Sequence, residues 1–268
     1  MRITAIIAAR NEAKYLPVTL RHLADSGISL AIIDNDSTDS SRAIYESFRQ
    51  QIVYQASLPY KGVFCLTEQL AVKARLMSEI ASDWWIHQDA DEVLESPRHN
   101  ETLRDGIERV ASEGFDAINC HEFVFTPTRQ HLNFEQTDFY RCMLHYYFFE
   151  PYPTRLMRIW RDVAAIQQTQ GGHRLSSTHR LSFAPEPFVL RHYIVLSDKH
   201  ANTKYSHRCY SPEDLAKGWH GSRLNVPPLV PLPDATDLHK LETWDSKAFI
   251  TTVPRKCHFW QPGWGSEQ

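Results

Sequence analysis

At 268 residues the chain is long enough to bury a substantial core, and it fits one main domain with a trailing segment. A composition of 42% apolar and 23% charged residues excludes a disordered or fibrous chain. The net charge of −3, with no long Lys or Arg run, excludes the electrostatic footprint of a nucleic-acid binder, and no segment approaches the roughly 20 apolar residues that span a bilayer.

Residues 3–9 (ITAIIAA) are apolar and stop abruptly at Arg10-Asn11-Glu12, as a buried parallel strand does at the edge of its sheet. Leu16, Leu20 and Leu23 then recur at helical spacing, with Pro17 in the first turn and Gly27 as the stop. A second strand, 29–34 (SLAIID), closes on Asp34, and 35–39 offer N-caps for a helix carrying Ile44 and Phe48. A short strand at 52–54 precedes a helix whose apolar face is predicted to be Leu66, Leu70, Ala74 and Met77. The run WWIHQD, 84–89, is the fourth strand, so the first ninety residues read as a doubly wound α/β unit.

In such sheets ligands bind beyond the carboxyl ends of the strands. Topology alone therefore gathers Arg10-Asn11, Asp34-Asn35 and Asp89-Asp91 at one edge. The first loop has neither G-x-G-x-x-G nor a Walker A motif, which disfavours a dinucleotide site or a P-loop. Further on, a helix is expected around 101–111 and strands around 116–125 and 155–160. The aromatic stretch 134–152 reads as core rather than as a sugar-facing surface. From Gly218 the Pro and Trp content rises, as in a tail wrapped over the domain. The expected boundaries are 1–217 for the main domain, with halves 1–95 and 96–217, and 218–268 for the packed extension.

Asp89-Ala90-Asp91-Glu92 places three carboxylates in four residues. Alternate residues of an extended segment face the same way, so Asp89 and Asp91 can face one ion and a ribose together. Hard cations such as Mg2+ or Mn2+ prefer oxygen ligands, and they stabilise the charge that builds on a departing diphosphate. An Asp-x-Asp triplet alone is weak, since turns and caps use the same residues; its place after a fourth buried strand is what strengthens it.

AIIAARNEAKYL, IIDNDSTDSS and DWWIHQDADEVLE, in this order and at these separations, resemble the three nucleotide-sugar segments of family-two glycosyltransferases with the GT-A fold, in particular the small non-processive bacterial branch. The resemblance is close over residues 1–95 and loose beyond. It implies a GT-A-like mixed α/β sheet flanked by helices and a metal-dependent, inverting transfer from a nucleotide-diphosphate sugar, a UDP-sugar first, to a carbohydrate or glycoconjugate hydroxyl in surface polysaccharide synthesis.

The resemblance also implies that Ala8, Arg10 and Glu12 line the nucleotide pocket, that Asp34 contacts the base or ribose, and that Asp91 holds the metal with Asp89 beside it. The segment LRHYIVLSDKHANTK makes His192 a third ligand and Lys204 a phosphate contact. Asp36 stands where the family has Gly, and Asp tolerates the left-handed backbone that glycine would provide. Gly171-Gly172-His173-Arg174 carries Arg where relatives have Glu, which leaves His173, Glu122 and Glu150, in that order, as candidates for the base. Two alternatives stay open: a sugar nucleotidyltransferase, which should carry a glycine-rich first loop, and a catalytically silent binding protein of the same fold.

The five cysteines are odd in number, widely spaced and without a Cys-x-x-Cys pair, and the opening residues lack a signal-peptide pattern. Reduced thiols, no structural zinc and a cytoplasmic location are the expectation.

Overall fold

A computed structural model describes residues 1–163, 166–206, 208–224, 226–227 and 230–265. The chain begins with strand β1 (Ile3–Ala9), helix α1 (Leu16–Asp25), β2 (Ser29–Asp34), α2 (Ser41–Ser47), β3 (Ile52–Ser57), α3 (Leu66–Glu79) and β4 (Trp84–Gln88). β1 and β2 are buried almost throughout while β3 alternates, as expected for central strands and an edge strand. Leu16, Leu20 and Leu23 form the buried stripe of α1, and Gly27 supplies the positive φ of 67° that reverses the chain behind it.

The second half contributes β5 (Glu92–Glu95), α4 (Leu103–Ser112), β6 (Ala117–Phe125), α5 (Phe139–Cys142), β7 (His145–Phe149), β8 (Leu156–Arg161), the short pair β9 (Gln167–Thr169) and β10 (Arg174–Ser176), β11 (Phe188–Tyr193), α6 (Asp198–Ala201), α7 (Pro212–Ala216) and β12 (His239–Lys240). Thr102 caps α4 through a reciprocal bond with Asp105. β3, β2, β1 and β4 run parallel; β8 joins β4 antiparallel and leads on through β6 and β7 to β12, so the described residues build one ten-stranded mixed sheet.

β11 pairs with β5 and β6 at once, setting His192 opposite Glu92. Tyr193 N–H donates to Asp91 O at 2.8 Å. Backbone pairing thus brings a segment one hundred residues downstream against the acidic triplet.

Phe139, Tyr146 and Phe148 lie in the main core, so most of the 134–152 aromatics are packing residues, as expected. Val226, Val230, Leu232, Phe259 and Trp260 form a second core with Tyr147 and Phe149. The face of α3 differs from expectation. Gln69, Lys73 and Leu76 are its buried residues while Ala74 is exposed. The helix turns toward a polar cavity and His87, so polar side chains occupy the inward positions that a hydrophobic pattern assigns to Leu and Ala. Among the described residues no helix is long and apolar enough to cross a membrane.

Candidate active site

A cavity of about 1470 Å³ opens at the carboxyl ends of the parallel strands. Ala8, Arg10, Glu12, Asp89, Asp91, Glu122, His173, His192 and Lys204 all line it. Its rim is set by contacts between the first two strand ends. Asn11, at φ 56°, accepts the Thr38 N–H through Oδ1 at 2.7 Å, and Arg10 donates to Asn35 O at 2.8 Å while stacking 3.6 Å over the Tyr60 ring. Asp36 adopts φ 53°, the left-handed geometry expected where the family carries Gly.

Two of the expected residues lie elsewhere. Asp34 stands behind the cavity wall, where Oδ2 accepts from Arg42 Nε at 2.9 Å and from Ser37 N–H at 3.3 Å, and Oδ1 is buried with no partner. Glu150 follows Phe149 at the end of β7 and lines not this cavity but a small adjoining cleft that shares Glu122, Phe149 and Arg155 with it.

The centre is a chain of paired charges. Lys204, on a short π-helical turn (Asn202–Ser206), donates to Asp91 Oδ2 at 2.5 Å and to Ile194 O at 3.1 Å, and its ammonium lies 4.9 Å from the centre of the Tyr15 ring. His192 reaches Asp91 through Nε2 at 3.3 Å and Glu122 through Nδ1 at 2.7 Å, and Arg155 closes the chain on Glu122. Burial opposes charge on the His192 ring, but Asp91 and Glu122 outweigh it and push its pKa up to about 10. Burial likewise opposes the Asp91 carboxylate, and Lys204 and His192 overcome it, holding Asp91 well below the usual range. Glu122 is held low in the same way by Arg155 and His192, so it is a poor proton acceptor.

Asp89 belongs to a second cluster. Buried Arg158 on β8 donates to Asp89 at 2.9 Å and to Glu92 at 2.6 Å, and leaves Nε and one terminal nitrogen without partners. Burial lifts Glu92 to about 7 despite that guanidinium. His87, with Asp89 Oδ1 3.4 Å from its Nε2, also meets Lys73 Nζ at 3.2 Å and Gln168 at 2.6 Å. Gly172, at φ 82°, lies so close that a Cβ there would stand 2.3 Å from His87 Cε1, which accounts for glycine in that loop. The adjacent His173 is driven neutral by burial and by Arg155 and Arg158.

The structure therefore brings Asp91, His192, Lys204 and Glu122 together and turns Asp89 toward Arg158. Among the described residues no three His, Cys, Asp or Glu side chains are grouped to hold a metal. The partners Arg155, Arg158 and Lys73 were missed in the sequence; two basic residues three apart in an apolar strand (TRLMRIW) were the available signal. His258, from the extension, also lines the cavity, and nothing in its local sequence marks it.

The sequence profile of glycosyl transferase family 2 matches residues 4–158, more than half of the chain. An uncharacterized glycosyltransferase of Rickettsia felis is 28% identical over 109 residues, a stretch covering 41% of this chain and only 34% of that relative. Among solved structures, Staphylococcus aureus TarS (residues 1–349) is similar at 13% identity with a TM-score of 0.42, covering 77% of this chain and 63% of that one. The mannosyltransferase PcManGT of Pyrobaculum calidifontis, solved with GDP-Man and Mn2+, is similar at 18% identity with a TM-score of 0.34, covering 44% and 35%. On the match spanning β1 to β7 and the acidic triplet, the chain belongs to glycosyl transferase family 2.

Proposed function

We propose that the protein transfers a sugar from a nucleoside diphosphate sugar, first of all a UDP-sugar, to a hydroxyl of a carbohydrate or glycoconjugate, with inversion, in surface polysaccharide or glycoconjugate synthesis. The observation that carries this reading is the Asp91 constellation: a buried carboxylate at a strand end, in a cavity large enough for donor and acceptor, with Lys204 and His192 on it. Arg10 and Glu12 would border the nucleoside, and Lys204 would face the diphosphate.

A divalent cation at this centre would take the place of the Lys204 ammonium, 2.5 Å from Asp91 Oδ2, and of the proton that Asp91 and Glu122 favour on His192; Asp91 and the deprotonated His192 would then offer the oxygen and nitrogen donors that suit Mn2+. Asp91 and His192 would hold the ion and Asp89 would face the ribose; the ion would supply electrostatic stabilisation of the leaving diphosphate. Glu122 orients the His192 ring through Nδ1 and Arg155 fixes Glu122 in turn. Arg158 ties the Asp89 and Glu92 carboxylates together. All five cysteines are free, in keeping with a reducing compartment such as the cytoplasm.

The test is Mn2+-dependent release of UDP from a panel of UDP-sugars. Wild-type protein should release UDP, and Asp91→Asn, which removes charge with little change of shape, should abolish release while leaving the melting temperature of the metal-free protein near wild type. Undiminished release in that variant would refute the assignment of Asp91.

A further inference from the structure

An inverting transfer needs a base for the acceptor hydroxyl, and the cavity supplies few free ones. Asp89 and Glu92 are bound by Arg158, Asp91 by Lys204, Glu122 by Arg155. Of the cavity histidines, His87 and His192 have both ring nitrogens engaged. Nδ1 of His200 faces the Leu196 N–H at 3.2 Å, which fixes its proton on Nε2. His173 has no hydrogen bond on its ring among the described residues.

His220, stacked on Tyr210, turns its unpartnered Nε2 toward Asp214 Oδ2 at 3.8 Å, whereas His258 combines a free nitrogen with a fixed orientation on the wall it shares with Glu122 and His192. Its ring is clamped between Phe149 (centroids 4.1 Å, planes 26° apart) and Trp260 (4.7 Å, 21°). Nδ1 meets the Tyr147 hydroxyl at 2.8 Å, and Nε2 carries no hydrogen bond among the described residues. The residue is only 6% exposed, yet it lines the cavity with Glu122 and His192. A base whose second nitrogen is held by a third group is the arrangement that acid–base catalysis by histidine requires.

We infer that His258 is the catalytic base, with Nδ1–H donated to Tyr147 and Nε2 accepting the proton of the acceptor hydroxyl, an assignment that rests on the sugar-transfer reading above. As the acceptor oxygen forms its bond to C1 of the donor sugar, the O–H bond breaks and the proton passes to Nε2. The bond from C1 to the diphosphate oxygen breaks with its electron pair leaving on the nucleoside diphosphate. Burial holds the His258 ring in its neutral form, well below the usual histidine range, with Glu122 acting in the opposite sense; the imidazolium formed in the transfer then returns its proton to solvent. With water as acceptor, the same step yields free sugar and nucleoside diphosphate.

Two readouts test this. The first needs no substrate: in ¹⁵N spectra of imidazole-labelled protein, with the His258 signals assigned by their loss in His258→Gln, a protonated Nδ1 and a bare Nε2 are expected, and the Nε2-protonated tautomer overturns the assignment. The second is UDP release from UDP-glucose and UDP-N-acetylglucosamine, with UDP affinity measured alongside. His258→Gln should lower release by about 10²- to 10⁴-fold with UDP affinity unchanged, and Tyr147→Phe, which keeps the packing, should lower it in the same direction. Full release in His258→Gln, or a parallel loss of release and UDP affinity, sinks the His258 assignment alone. A wild-type protein that neither binds UDP nor releases it from either sugar sinks the donor reading and this inference together.

Discussion

Lys73 should be a residue that the fold would be more stable without. Its side chain is 1% exposed, and among the described residues its ammonium meets one hydrogen-bonding group, His87 Nε2 at 3.2 Å, a ring that burial keeps neutral. Burial lowers the Lys73 pKa from 10.5 to about 8, with Asp89 only partly compensating. Each tenfold change in proton affinity is worth about 1.4 kcal/mol, so the buried charge costs on the order of 3 kcal/mol at neutral pH. Methionine matches the length of the side chain and carries no charge. Lys73→Met should then raise the melting temperature at pH 7 by roughly 5–10 °C for a chain of this size. The sign follows from proton binding: between pH 8 and 10.5 the unfolded chain holds the proton that the folded one has lost, so the wild type gains stability as pH rises through that window and the advantage of the variant shrinks there. Calorimetry at pH 7 and 9.5 measures both effects. A variant less stable than wild type at pH 7 would refute the reasoning and show that the ammonium is a net stabilising partner of Asp89 and His87.

Arg158→Leu should do the opposite, since it leaves the buried Glu92 carboxylate without its partner and frees the half-exposed Asp89; a loss of about 3–5 kcal/mol is expected, read as a fall in urea midpoint with unchanged slope, and a shift under 1 kcal/mol would show that water reaches Glu92. Gly172→Ala should lower melting temperature and UDP release together, because the added methyl group would strike His87; an unaltered variant would mean that the loop yields freely. His192→Ala should raise the Mn2+ concentration needed for half-maximal release more than it changes metal-free stability, and a destabilised protein with an unaltered Mn2+ requirement would make His192 a packing residue.

The N-terminal half was legible because its signals are local. Apolar runs that end on polar clusters define β1, β2 and β4 to within a residue, and topology carries their ends to one edge. The second half was less so. That β11 lies between β5 and β6, opposing His192 to Glu92, depends on long-range pairing, and only the likeness of LRHYIVLSDKHANTK to a known segment brought His192 and Lys204 into view. Arg155, Arg158 and Lys73 escaped notice because a charged residue in a strand or on an apolar helix face acquires meaning only from the carboxylate or ring it meets. His258 escaped for a further reason: it lies in an irregular Pro- and Trp-rich stretch with no periodicity to read, and its place beside Glu122 is set by packing of the tail on Tyr147 and Phe149.

The most direct test of the central claim is whether the folded protein binds a nucleotide sugar at the Asp91 centre. Melting curves should be recorded with UDP-, GDP- and dTDP-sugars, with and without Mn2+, for wild type and Asp91→Asn. A donor at one hundred times its dissociation constant stabilises the fold by about 2.7 kcal/mol, which corresponds to an upward shift of roughly 5–10 °C, and the account predicts such a shift for at least one donor, enhanced by Mn2+ and lost in Asp91→Asn. No shift with any of these sugars, or the same shift in wild type and variant, would contradict it.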